Sequence, residues 1–357
     1  MSETGRQALW ARLSEAGLVE GPEPPRVLAG TPWFVRIMLG IAGWIGALFL
    51  LGFVGVGFAS IMESAAASFI LGAITCTAAA MLFRANPHGG FVGQFGLAIS
   101  VAGQALIGFA LIRWFEGSFT TIAVAIALMQ VVLFALIGNF IHRVWSAWMA
   151  AVAATWALGN LGLPAFALAM VTFAFVWIWL AEFDHPRRSA LVQAAGYGLA
   201  IAIIQTIAMD SAPWSGLVFG RGTGKIFGGE TSVVIGKLIS GTVLIWVMLK
   251  ILRREGVDWR SGAGRVALAG ALILAIVSWK APGVGPATLI LVIGFANGNR
   301  VLAGLGVVAL LGYLSHYYYV LHATLLEKSV LLAVSGIVLL TVRFAIRRWW
   351  PREPRHA

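Results

Sequence analysis

Long apolar runs separated by short polar connections cover most of the chain from Arg36 onward. A helix needs about 20 apolar residues to cross the hydrocarbon core of a bilayer. Runs of this kind lie at 36–58, 64–83, 91–112, 119–141, 144–161, 164–181, 189–209, 232–252, 264–279, 286–295, 301–321 and 329–346. The pattern therefore predicts an all-α protein, a polytopic transmembrane helical bundle of about 12 spans.

The tenth run differs from the others because its apolar part is short. It is entered through Ala281-Pro282-Gly283-Val284-Gly285-Pro286. Lipid cannot satisfy free backbone groups, so a re-entrant or broken helix here requires protein or a water-filled cavity around it. The pattern leaves open whether residues 282–296 span fully or re-enter.

The composition excludes two other classes of protein. Of the 357 residues, 60% are hydrophobic and 11% are charged, and the mean hydropathy is +0.90. Soluble domains carry about 45–50% apolar and about 25% charged residues, so a water-soluble fold and a disordered chain are both excluded. A single cysteine, Cys76, permits no internal disulfide and no thiolate metal site. We expect no metal and no other cofactor.

The net charge of +11 is concentrated at the ends of the apolar runs. With a cytoplasmic N-terminus and an even number of spans, 19 of the 25 Lys and Arg residues fall on the cytoplasmic side. Cytoplasmic loops of membrane proteins are enriched in these residues. We therefore predict that both termini are cytoplasmic, and that the charge orients the protein in the lipid bilayer and binds no nucleic acid.

Two short segments lie outside the predicted transmembrane helical domain of residues 36–346. Residues 1–35 form a cytoplasmic N-terminal segment with a short amphipathic helix, in which Leu9, Leu13 and Ala16 share a face and Gly17 is suited to end the helix. Residues 347–357 form a basic cytoplasmic tail. Both are too short to be independent domains.

Ionisable groups at membrane depth are expensive to bury and often functional. All 14 Asp and Glu residues lie in loops or at span ends, which argues against a proton- or sodium-coupled carrier. Lys237 lies about 9 Å into its span. It can extend to the outer surface, with Glu230 as a partner, or form a cation site.

Amide side chains are distributed over four of the spans. They either cross-link neighbouring helices through hydrogen bonds or line a polar pathway. These residues are Gln94, Gln104, Gln130, Asn139, Asn160, Gln193 and Gln205.

Four of the five tyrosines are concentrated between Tyr313 and Tyr319, at the predicted outer end of the eleventh span. Aromatic belts collect Tyr, but a belt does not require a His-Tyr-Tyr-Tyr run covering every face of a helix. Some of these side chains must face protein, where a hydroxyl needs a partner. The candidate site for a partner or ligand on the outer face comprises His316, Tyr317, Tyr318, Tyr319, His322, Glu327 and Lys328. No catalytic or metal-ligand motif is recognisable, which favours a protein that is not an enzyme.

Three groups of motifs carry a family resemblance. They are Pro32-Trp33-Phe34-Val35-Arg36 with Gly40-Ile41-Ala42-Gly43-Trp44, then Gly294-Phe295-Ala296-Asn297-Gly298-Asn299-Arg300, and Tyr317-Tyr318-Tyr319 with Thr324-Leu325-Leu326-Glu327-Lys328-Ser329. Together they resemble the bacterial membrane-protein family known as domain of unknown function 4401, over nearly the whole chain. The resemblance implies a multi-pass protein of the bacterial cytoplasmic (inner) membrane.

The resemblance carries over no catalytic residue, because the family has no assigned activity. It marks Asn297, Asn299 and Arg300 as a candidate motif at the cytoplasmic end. Members of the family look like neighbours of a membrane-anchored family named for a GDYXXLXY motif, which implies a protein of that family as a partner.

Two functions follow as hypotheses. The first is a membrane subunit that docks an anchored partner protein on its outer face. The second is a small-molecule permease with a site near the broken tenth span. The number of spans and the scattered amides favour this hypothesis. No repeat relates the first six spans to the last six, which counts against the second.

Overall fold

The described helices account for most of the predicted membrane domain. In the computed structural model, the described residues are 3–17, 64–85, 90–182, 188–210 and 229–320, with isolated positions at 19 and 21 and within 34–52 and 326–340. The described part is all-helical. Its helices are α1 (Glu3–Glu15), α2 (Ala65–Ala85), α3 (Gly90–Trp114), α4 (Phe119–Leu136), α5 (Phe140–Asn160), α6 (Pro164–Leu180), α7 (Ser189–Asp210), α8 (Gly229–Arg254), α9 (Gly262–Lys280), α10 (Val284–Ala296) and α11 (Arg300–Val320).

Each apolar run from the second to the eleventh coincides with one helix, α2 to α11. Within the described residues, 7 helices are long and apolar enough to cross a membrane: α2, α3, α4, α7, α8, α9 and α11. The apolar part of α6 is shorter, and so is α10. The first and twelfth runs lie largely outside the described residues. A multi-pass membrane protein is therefore supported, whereas about 12 spans and cytoplasmic termini stay predictions.

The N-terminal helix α1 ends just before Gly17, as the sequence predicts. Gly17 follows it with φ of 64°, the left-handed conformation common just after a helix. The amide of Gly17 donates to the carbonyl of Ser14 at 3.0 Å, which closes the last turn. Of the residues predicted to share a face of α1, Leu9 and Ala16 are exposed and Leu13 is half-buried.

The boundary between the fourth and fifth runs is corrected by the structure. The run 119–141 contains a chain reversal, because α4 ends at Leu136 and α5 begins at Phe140. The Asn139 side chain caps α5 by accepting the amide of His142 at 3.1 Å. Arg143 Nε donates to the carbonyl of Phe134 at 3.2 Å, which satisfies a free group at the end of α4. Hydropathy does not reveal this turn, because Ile137 within it is buried in the core.

Two hydrophobic cores hold the helices together. The larger one joins α5, α6, α7, α8, α10 and α11 around fully buried side chains such as Phe175, Ile203 and Ile290. The smaller one joins α2, α3 and α4 around Cys76 and Phe83. Because lipid is as apolar as these side chains, close packing and hydrogen bonds must favour helix association here.

Helix α10 is short and enclosed. Its 13 residues span roughly 20 Å, less than the roughly 30 Å of hydrocarbon in a bilayer. Nine of them, including Pro286, are buried, and α6, α7, α8, α9 and α11 all pack against it. Pro286 lies in the first turn, where an amide has no intrahelical partner, so the helix is continuous rather than broken. Protein therefore surrounds it, the environment that a short span requires.

Glycine brings the backbones of α2 and α3 into contact. A Cβ placed on Gly72 would lie 2.6 Å from the carbonyl oxygen of Gly103, and one on Gly103 would lie 2.7 Å from both the Gly72 oxygen and Cys76 Sγ. A Cβ atom essentially never lies this close to a non-bonded atom, so only glycine fits at either position without a shift of the helices. Small residues at helix crossings are typical of membrane bundles.

We expect Gly103→Ala to destabilise the bundle, because the added methyl forces α2 and α3 apart. Overpacking of this kind costs about 1–3 kcal/mol. Gly108→Ala is the matched control, since this position on α3 has open space and gains the same helix propensity. The measurement is the thermal unfolding midpoint in detergent. Equal midpoints for the two variants would contradict the close approach.

Candidate functional site

The tyrosine cluster at the predicted outer end of α11 faces in two directions. Tyr313, His316 and Tyr317 lie three and four residues apart, so they share a helix face. The Tyr313 and Tyr317 rings stack with centroids 6.1 Å apart. The ring of Tyr313 packs on Gly283, where a Cβ would lie 2.5 Å from it. This face therefore contacts the turn between α9 and α10.

The opposite face of the same helix end points away from the bundle. Tyr319 is 79% exposed, and its ring meets that of Tyr318 edge-on at 5.7 Å. Tyr317, on the side that it shares with Tyr313, is still 37% exposed. His322, Glu327 and Lys328 lie outside the described residues. The structure thus places His316 and three tyrosines of the candidate outer-face site on one helix end, where Tyr317 and Tyr319 are exposed.

An apolar groove runs beside this cluster, between α7 and α11. Its volume is about 290 Å³. The walls are mainly apolar, and His316 and Tyr313 lie toward the predicted outer end of α11. The groove is lined by Ile204 and Ile207 of α7 and by Ala309, Gly312, Tyr313 and His316 of α11.

Asn297, in the candidate motif at the predicted cytoplasmic end, joins three other parts of the bundle. Its Nδ2 donates to the carbonyl of Trp179 at 3.2 Å and to Glu182 Oε2 at 3.1 Å. Its Oδ1 accepts a hydrogen bond from Arg254 Nη1 at 3.0 Å. Gln193 Nε2 donates to the other oxygen of Glu182 at 2.8 Å. Asn297 thereby ties the end of α10 to α6 and α8, and Glu182 extends the junction to α7 through Gln193.

Asn299 makes a second junction. It exchanges hydrogen bonds with the Tyr197 hydroxyl at 2.8 and 3.0 Å, and its Oδ1 caps α11 by accepting the amide of Leu302 at 3.0 Å. Gly298 lies between the two asparagines with φ of 66°, which the reversal from α10 to α11 requires. Arg300 is exposed and makes no hydrogen bond or ion pair within the described residues. The motif is therefore an interhelical junction made by Asn297 and Asn299.

We expect Asn297→Ala to lower stability by about 1–3 kcal/mol, because Glu182, Arg254 and the Trp179 carbonyl each lose a partner. Arg300→Ala, an exposed change in the same loop, is the control and should leave the unfolding midpoint in detergent unchanged. Should the two variants unfold at the same temperature, the junction would carry no stability.

A buried polar cluster lies between α3, α4 and α5, and only its two glutamines are predicted from the sequence. We call it the His142 cluster. His142 Nε2 lies 2.8 Å from Ser100 Oγ, and Gln104 Nε2 donates to the same hydroxyl at 3.1 Å. Its members are Ser100, Gln104, Gln130, His142, Trp145 and Ser146, and of these only Trp145 is not fully buried.

The indole of Trp145 identifies which side-chain atom of Gln104 is the oxygen and which is the nitrogen. An indole N–H can only donate, so the atom of Gln104 that Trp145 Nε1 meets at 3.0 Å is the oxygen. The same oxygen accepts Gln130 Nε2 at 2.8 Å. Gln104 Nε2 then donates to Ser100 Oγ, which lies 2.8 Å from His142 Nε2. The other ring nitrogen of His142, Nδ1, lies 3.4 Å from Ser146 Oγ.

One atom of the cluster has no partner. Gln130 Oε1 is fully buried and accepts no hydrogen bond within the described part of the chain. The cluster otherwise satisfies itself, and Gln130 is only 2% exposed. The arrangement cross-links three helices, which is one of the two roles that the sequence left open for the amides.

Three other amides also bridge separate elements. Asn160 donates to Thr120 at 2.7 Å, Gln193 donates to Glu182, and Gln205 accepts the indole N–H of Trp148 at 2.6 Å. Sequence reasoning named these amides but missed His142. The available signal was its spacing, because Trp145 and Ser146 follow three and four residues later on the same helix face.

We expect Gln104→Met to be strongly destabilising, because Ser100, Gln130 and Trp145 all lose a partner, at about 1–3 kcal/mol for each buried group. Gln205→Met is the control, since it removes a partner only from Trp148. Thermal unfolding in detergent measures both. A Gln104 variant as stable as the Gln205 variant would show that the cluster does not hold the helices together.

These features define a class of protein. The described part of the chain has seven helices able to cross a membrane, joined by interhelical hydrogen bonds, as in a multi-pass membrane protein. The chain belongs to the family described as domain of unknown function (DUF4401), whose model matches residues 32–349. This confirms the resemblance drawn from its motifs. No curated protein and no solved structure matches the chain.

Proposed function

We propose that this protein is a membrane subunit that docks a membrane-anchored partner, whose anchor helix lies in the groove between α7 and α11. The observation that supports this proposal is the groove itself, which is apolar, has a volume of about 290 Å³ and extends to Tyr313 and His316. The partner implied by the family resemblance is a membrane-anchored protein of the GDYXXLXY family.

The shape of the groove suits a helix. Along α11 it extends from Val308 to His316, which is about 12 Å or two helical turns. Ala309 and Gly312 are small residues, and small residues allow a second backbone to approach closely in a membrane. An apolar helix face in an apolar groove is a recurrent recognition mode.

The tyrosines suit contact with the part of the partner outside the membrane. Tyr319 and Tyr317 present exposed rings at the same helix end. Tyrosine is enriched among the residues that dominate binding energy, because it offers a large rigid ring and a hydroxyl. The anchor would occupy the groove while these rings meet the adjoining segment.

The described geometry gives less support to a permease. The tenth helix, where such a site was expected, is enclosed by five helices. The convergent amides Gln104 and Gln130 are buried and hydrogen-bonded to each other rather than lining an open path. Docking is therefore the function proposed.

We expect Gly312→Leu to reduce recovery of the partner by at least about tenfold, since a loss of 1.4 kcal/mol in binding corresponds to a factor of ten. A side chain at Gly312 meets open space and so enters the groove without a clash. The measurement is affinity purification of the tagged native protein in mild detergent, followed by quantitative mass spectrometry.

Gly304→Leu is the matched control, because Gly304 lies on the same helix with open space but does not line the groove. Its partner recovery and unfolding midpoint should equal those of the wild type. Equal recovery with Gly312→Leu, or purification of the native protein without a stoichiometric anchored protein, would overturn the proposal.

A further inference from the structure

A second groove lies on another side of the bundle, between α8 and α9. Its volume is about 400 Å³. It is mainly apolar, with a single charged side chain in its wall. It is lined by Lys237, Gly241 and Ile245 of α8 and by Ala275, Ile276 and Trp279 of α9.

Lys237 lies near the predicted outer end of this groove. Its Nζ is 5.5 Å from the centre of the Trp279 ring, so a cation–π contact holds it. No ion pair joins it to a carboxylate within the described residues, and the side chain of Glu230 lies outside them. Lys280, exposed at the end of α9, adds a second positive charge at the same end. The site thus carries positive charge without a described counter-charge.

The surface around the groove is apolar and open. Leu238 on α8 and Ile273 and Ile276 on α9 are all exposed. In a membrane-spanning helix pair such side chains meet lipid. The groove therefore opens toward the hydrocarbon, and an occupant can enter it from the bilayer.

We propose that the groove between α8 and α9 binds one anionic phospholipid, with an acyl chain against Gly241, Ile245 and Ala275 and the phosphate beside Lys237. The apolar walls match the chain, and the ammonium group matches the headgroup charge. Lys237 to Ile245 covers about 12 Å of α8, enough for the upper part of an acyl chain. This inference is independent of the proposed partner docking, which concerns α7 and α11.

The structure supplies a matched control for the charge. Lys250 lies on the same helix, with its Nζ 6.0 Å from the Trp246 ring, but at the opposite end and outside the groove. Lys237→Gln and Lys250→Gln therefore remove the same charge and the same kind of cation–π contact. Only the first change removes the proposed headgroup contact.

The experiment is native mass spectrometry of the detergent-purified full chain, incubated with phosphatidylglycerol or with phosphatidylcholine of the same acyl chains. We expect the wild type and Lys250→Gln to retain phosphatidylglycerol preferentially. Lys237→Gln should lose that preference at least about fivefold, roughly 1 kcal/mol, because one cation near an anionic lipid is worth about that much.

Gly241→Leu tests the chain contact separately. A Cβ at Gly241 lies 3.5 Å from Ala275 Cβ, an ordinary contact, so leucine fills the groove with little strain. It should reduce retention of both lipids, with an unchanged unfolding midpoint in lipid-free detergent. Equal retention of the two lipids by the wild type, or equal effects of Lys237→Gln and Lys250→Gln, would overturn the proposal.

Discussion

Lipid offers no hydrogen bonds, so a polar group inside this bundle can gain a partner only from the protein. That constraint explains where the polar side chains lie. The His142 cluster and the asparagine junction each collect several of them at one place, so that one amide satisfies groups from several helices. Between these places, the helix faces are mainly apolar, apart from single contacts such as that of Trp148 with Gln205.

The His142 cluster also connects the two cores. Helix α5 supplies Ala151 and Val152 to the larger core and His142 to the cluster that it shares with α3 and α4. The smaller core of α2, α3 and α4 is therefore attached to the rest partly through hydrogen bonds. At the other assembly, Asn297 and Asn299 hold the α10–α11 hairpin against α6, α7 and α8.

The sequence predicted the helices well because each apolar run is a local property of the chain. The sequence did not reveal the structural features that depend on contacts with residues far away in the chain. The turn between α4 and α5 is hidden because Ile137 is buried against helices elsewhere in the chain. The sequence does not mark His142 as a cluster residue, because its partner Ser100 lies 42 residues away in the chain. The Asn-Gly-Asn motif was recognised as a family feature, but its role as a junction depends on Glu182 and Tyr197, which no spacing connects to it.

Helix α10 has a consequence for how the protein is made. A helix of 13 residues is too short to be stable in lipid alone, and it acquires its surroundings only from α6, α7, α8, α9 and α11. Four of those five neighbours precede it in the chain. During synthesis the ribosome therefore delivers α10 after most of its walls have been inserted, and α11 follows to close the site. The order of the helices in the gene is thus also a workable order of insertion, and moving α10 earlier would leave it in the bilayer without protection.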